Sequence, residues 1–143
     1  MLVTTLLFLG LFHTGLIWLV QVVHYPIFAR VSAADWTAFH DFHTNRISLI
    51  VIPTMLLELG GTLWHGVLLF SEPEAARFGV FMVAHACVIG VWASTFLIQV
   101  PLHNRLAQGP DADIVARLVN TNWIRTVLWT LRGLLLSWIV AGS

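Results

Sequence analysis

The run LVTTLLFLGLFHTGLIWLVQVV, Leu2 to Val23, contains no charged side chain. About 20 apolar residues are what a helix needs to cross the hydrocarbon core of a bilayer. Three more segments approach that length and character: Ile47 to Phe70, Phe78 to Val100 and Ile124 to Val140. In lipid every backbone N–H and C=O must be satisfied within the chain, so only helices and closed barrels cross. These runs are too long and continuous for barrel strands. The expected architecture is all-α: a four-helix transmembrane bundle, one integral membrane domain over residues 1–143.

Composition points the same way. The chain is 58% hydrophobic and 10% charged, where a soluble domain carries about 25% charged residues. Seven acidic and seven basic side chains cannot cover a water-facing surface, so the main partner is the lipid bilayer. Net charge is zero, which leaves no basic field for nucleic acid. The single cysteine, Cys87, cannot form an intrachain disulfide and says nothing of the redox compartment. The N-terminal run lacks a basic leader and a small-x-small site, so it reads as a retained helix rather than a signal peptide. Pro53 is expected to kink the second span or open its hydrogen bonding.

The connections differ in charge. SEPEAARFG, between the second and third spans, is short and acidic at its start. The other two hold Arg30, Arg46, Arg105, Arg117 and Arg125, beside Asp35, Asp41, Asp111 and Asp113. The positive-inside rule puts those two in the cytoplasm and both termini on the other side.

The halves, roughly residues 1–72 and 73–143, share a pattern. HYPIFAR (His24 to Arg30) set over QVPLHNR (Gln99 to Arg105) aligns Pro26 with Pro101 and Arg30 with Arg105. HTNRI set over NWIRT aligns His43 with Asn122 and Arg46 with Arg125. Each half reads as helix, proline break, amphipathic segment and an arginine opening the next helix. Two such pairs would pack about a pseudo-twofold axis along the membrane normal. That would set His24 opposite Gln99, His43 opposite Asn122 and Arg46 opposite Arg125. The alternative for these arginines is plain snorkelling at the boundary.

His40 and His43 lie three apart, on one helical face. With His24 they are candidate ligands of a transition metal. The competing reading is an interfacial helix whose Trp36, Phe39 and Phe42 dip into lipid while the histidines face water. Glu58 falls near mid-membrane, where an ionised carboxylate must be paired or protonated. Its candidate partners are Arg132, His13 and His85. The choice lies between a register-fixing pair and part of a site. His13, His65 and His85 are either packing histidines or ligands of a metal or haem. Trp36, Trp64, Trp123 and Trp138 fit an aromatic belt.

QVPLHNRLA followed by NTNWIRTVLWTLRGLLL resembles the anthrone oxygenase-like family of small four-span membrane proteins. Its second half carries a Pro-x-x-Asn-x-x-Leu stretch and a Trp/Asn…Arg motif, here Pro101, Asn104, Asn122, Trp123 and Arg125. The first half, WLVQVVHYPIFARV…FHDFHTNRI…PTMLLE, is similar to a His-rich bacterial branch, which implies a bacterial inner membrane. The resemblance implies oxygenation of anthrone-type aromatics with no obvious cofactor motif. The expected function is an integral membrane oxidoreductase or oxygenase for a hydrophobic aromatic or quinone-like substrate. His24 and His43 would exchange protons or hold a metal. Gln99, Asn104, Asn122 and Trp123 would contact substrate, Arg46 and Arg125 would stabilise an oxyanion, and Glu58 would tune or relay a proton. Two alternatives stay open: a metal- or haem-binding subunit, and a proton-coupled transporter titrating at Glu58, which would need to form a homo-oligomer.

Overall fold

A computed structural model describes residues 1–71 and 77–142. The acidic start of the second connection therefore lies outside the described residues. Four helices are long and apolar enough to cross a membrane: α1 Leu2–Phe28, α2 Trp36–Ser71, α3 Phe78–Leu106 and α4 Ala112–Ala141. They form a bundle with all regular structure among the described residues helical. The outward faces carry Phe8, Leu49, Leu57, Val67, Leu97 and Leu134, all exposed. Such a surface suits hydrocarbon and not water.

The helices run past the apolar segments. Residues 36–46 and 112–123, expected as separate amphipathic pieces, continue into α2 and α4 without a break. A helix satisfies its backbone whatever its side chains, so it does not end where the lipid-facing run ends. Pro53 lies inside α2, and the helix continues through it. Pro26 and Pro101 do not break their helices either. Each follows a five-residue π turn, Val20–His24 in α1 and Thr95–Gln99 in α3. Tyr25 N–H donates to Val20 O and Val100 N–H to Thr95 O. A proline lacks the N–H for the carbonyl four residues back, and one wide turn absorbs the mismatch before the ladder resumes. The two π turns begin 75 residues apart, as the two prolines do. Each buries a glutamine, Gln21 and Gln99.

Trp36 opens α2 from the interior, not from a lipid belt. It is buried, and its Nε1 donates to Leu106 O at 2.7 Å, tying α2 to the end of α3. The interfacial reading, with Trp36 in lipid and the histidines in water, thus does not describe this segment. His40 and His43 are buried, while Phe42 on the other face is exposed. After Gly109, whose φ of +148° suits glycine, Asp111 caps α4 by accepting from Asp113 N and Ile114 N. Helices α1 and α4 approach closely. A Cβ on Gly133 would stand 3.1 Å from Thr14 Oγ1, and Thr14 donates to Gly10 O and Trp129 O. Small residues allow that approach in lipid.

The interior is layered. One apolar cluster, including Leu6, Leu69, Phe81 and Leu136, fills the end that holds the termini. Another, including Phe28, Trp36, Leu106 and Leu118, fills the opposite end. Buried polar groups stand between and beside them.

Candidate functional site

A cavity of about 530 Å³ opens inside the bundle. Its walls come from all four helices: Ile17 and Val20 on α1, Val51 and Met55 on α2, Val91 and Trp92 on α3, Trp129 on α4. Polar side chains gather at the end away from the termini: Tyr25, His43, Gln99, His103, Asn104 and Arg125. At the mid-membrane end stands His13. An apolar chamber of this size with a few convergent polar groups is the usual form of a small-molecule site.

His43 sits where the cavity meets a histidine pair. Its Nδ1 lies 2.6 Å from His24 Nε2. One of the two nitrogens donates and the other accepts, so the dyad shares one proton. His43 faces the cavity, whereas His24 is half-buried and outside its wall. His103 stacks on His43 with ring centroids 5.4 Å apart. Its Nε2 is 3.2 Å from the Tyr25 hydroxyl and its Nδ1 3.4 Å from His40 Nε2. Phe28 packs edge-on against His43 at 5.0 Å. His24, His40 and His43 are thus brought to one end of the bundle but spend nitrogens on two separate partnerships. Among the described residues, no group of three or more His, Cys, Asp or Glu side chains is disposed to hold a metal ion.

Arg125 is held from behind. Its Nε donates to Asn122 Oδ1 at 3.0 Å, and Asn122 Nδ2 donates to Gln21 Oε1 at 2.8 Å. Gln21 Nε2 in turn donates to Val119 O. Asn122 is buried behind the cavity wall, so it positions the guanidinium and does not itself face the chamber. Gln99 Nε2 donates to Thr121 Oγ1 at 3.1 Å.

Two expected site residues stand elsewhere. Arg46 is exposed on α2, its guanidinium 5.5 Å from the Phe42 ring, so its side chain leans over the outward-facing Phe42 and away from the cavity. Trp123 is exposed and packs edge-on against Trp18. Neither belongs to the cavity wall.

Glu58 points into the bundle. Arg132 Nε donates to Glu58 Oε1, while His13 Nδ1 lies 2.8 Å from Glu58 Oε2. Both Arg132 and His13 are therefore partners. His85 instead lies 3.2 Å from His65 and donates through Nδ1 to Phe81 O. Glu58 does not reach the cavity itself; His13, stacked on Trp129 at 4.4 Å, stands between.

His103 and Tyr25 escaped the sequence reading as members of the site, whereas Trp129 had been weighed beside Trp123 as a stacking surface for a flat substrate. His103 had a usable signal: four residues after Gln99, it lies on the same helical face. Tyr25 had none beyond adjacency to His24, and of the two tryptophans only Trp129 lines the cavity. No family model, curated protein or solved structure matches this chain.

Proposed function

We propose that this protein is a membrane oxidoreductase of the oxygenase type, acting on a hydrophobic aromatic or quinone-like molecule held in the cavity. The observation that carries the reading is the cavity itself. It is apolar over most of its wall, lies within the spans, and ends in a base, a phenol and a fixed cation: His43, Tyr25 and Arg125. The likeness of the second half to anthrone oxygenase-like proteins supports the same reading.

The chemistry this set of residues suits is oxidation of an activated methylene to a ketone. His43 takes a proton from a carbon flanked by aryl rings, and its proton on the far nitrogen passes toward His24. Arg125 stabilises the enolate oxygen, as a preorganised cation does in a dry site. Dioxygen accepts electrons from the carbanion and forms a carbon-bound peroxide. Loss of the second C–H proton and cleavage of the O–O bond leave one oxygen in the ketone and release the other as water. The balance is CH₂ plus O₂ to C=O plus H₂O. Glu58 acts at a distance, by orienting His13. The equal spacing of the two π turns and the two prolines supports descent from a duplicated helix pair.

Anthrone is the probe. Detergent-purified protein should consume one O₂ per anthrone and form anthraquinone, faster than buffer alone. His43→Ala should abolish the excess rate, and His65→Ala, remote from the cavity, should retain it. Equal rates with wild type, His43→Ala and buffer would remove the assignment.

A further inference from the structure

Five residues of the cavity wall are also exposed on the outside of the bundle: Ile52, Leu56, Phe96, Val100 and Asn104. All five lie on α2 or α3. The wall residues of α1 and α4 are buried or half-buried. The cavity therefore opens sideways, through one slit between α2 and α3. Helix α2 is also the least enclosed of the four, with 17% of its apolar window buried against 39% for α1 and α3.

The rim changes character along its length. Phe96 and Asn104 are eight residues apart on α3, about 12 Å at helical rise. Leu56, Ile52, Phe96 and Val100 make the deep part apolar. Thr44, Ser48 and Asn104 make the part beside His43 and His103 polar. The fixed cation, Arg125, stands on α4, and among the described residues no Asp, Glu, Lys or Arg side chain lines the wall from α2 or α3.

We infer that this slit is a lipid-side portal, through which an amphipathic aromatic molecule dissolved in the bilayer enters the cavity. The inference rests on the function proposed above and names the route and form of its substrate. The space outside an apolar rim at span depth is hydrocarbon, so an apolar ring system passes without desolvation cost. A water-borne solute would find no aqueous path to Leu56 and Phe96. The polar end of the slit orients the molecule: its oxygenated head stays beside Asn104, Ser48 and His43, and its ring body lies between Ile52, Phe96 and Met55.

Trp92 and Trp129 in the wall supply a readout that needs no turnover, because quinones quench indole fluorescence. Protein in phosphatidylcholine vesicles is mixed with decylubiquinone, and the saturable phase of quenching is followed in time. That phase should be present in wild type and reduced in Trp129→Phe. Ile52→Phe with Val100→Phe narrows the slit and should slow the phase by about tenfold or more. Leu57→Phe with Leu97→Phe, on lipid-facing positions outside the wall, should leave it unchanged. Leu56→Phe alone is the second narrowing variant should the first not fold. A saturable phase whose rate is untouched by both narrowing variants overturns the portal and leaves the quinone reading standing. A phase seen in detergent but lost in vesicles means an acyl chain occupies the slit, and also overturns the portal. No saturable phase in either medium overturns both.

Discussion

Arg132 and Glu58 meet at the centre of the bundle, with neither side chain accessible and Arg132 Nε donating to Glu58 Oε1 at 2.5 Å. The remaining guanidinium nitrogens donate to Ala84 O at 2.7 Å and Thr62 Oγ1 at 2.9 Å. The second carboxylate oxygen meets His13. Every strong polar atom of the pair is thus matched, which is what permits two charges at this depth.

Breaking one side of that pair should be worse than removing both. Glu58→Gln leaves a buried guanidinium without its counter-charge, a loss of about 3–5 kcal/mol. Glu58→Gln combined with Arg132→Met should recover most of it. Thermal unfolding in detergent, followed by circular dichroism, measures both. A double variant no more stable than the single one would show that the two residues do not act as a pair.

The histidine dyad predicts graded kinetics. His43→Ala removes the group that faces the cavity and should lower turnover about 10²–10⁴-fold. His24→Ala leaves that group in place but removes its 2.6 Å partner. It should lower kcat by a smaller factor with KM unchanged. A His24→Ala protein with wild-type kcat would end the relay, and oxygen uptake with anthrone decides it.

Much of the fold was legible because lipid imposes so strict a rule on the backbone. Four charge-poor runs were enough to place four helices. Their true ends were not legible, since residues 36–46 and 112–123 are polar yet helical. The π turns were invisible, because nothing in VQVVH or TFLIQ distinguishes a wide turn from an ordinary one. In the site, His24 and His43 were singled out, and the structure brings them into contact. Arg46 was paired with Arg125 by alignment alone, but its long side chain lies outward over Phe42. His103 was passed over because the alignment drew attention to Gln99, one turn earlier. Glu58 was expected to have one partner and has two, because only packing reveals that His13 and Arg132 approach it from different helices.

Orientation follows from the arginines. Arg30, Arg105 and Arg117 are exposed at the end that carries the His43 cluster, so that end should face the cytoplasm and both termini the other side. Ser32→Cys and Gln108→Cys place thiols in the two connections at that end, both exposed. Gln108 is preferable to Gly109, whose positive φ disfavours a side chain. Buried Cys87 should stay silent. A membrane-impermeant maleimide should label both thiols in inverted vesicles and neither in intact cells; the reverse pattern inverts the topology.

Trp36 links the start of α2 to the end of α3 beside the polar head of the cavity. Trp36→Phe keeps most of the ring contacts with Phe28 and His40 but removes the bond to Leu106 O. That carbonyl still accepts from Gly109 N–H at 3.3 Å, so the loss is one hydrogen bond, about 0.5–1.5 kcal/mol. The same thermal-unfolding measurement checks it, and an unchanged midpoint would mean that α2 is anchored elsewhere.

Occupation of the cavity by an aromatic ketone-like molecule is read out by photolabelling with 4-hydroxybenzophenone. Excited benzophenones insert preferentially at methionine, and the chain has three. Met55 is buried in the cavity wall, whereas Met1 and Met82 are exposed. Peptide mass spectrometry should find the adduct on Met55 and find it suppressed by excess anthrone. Adducts confined to Met1 and Met82, unaffected by anthrone, would mean that the cavity takes no such molecule.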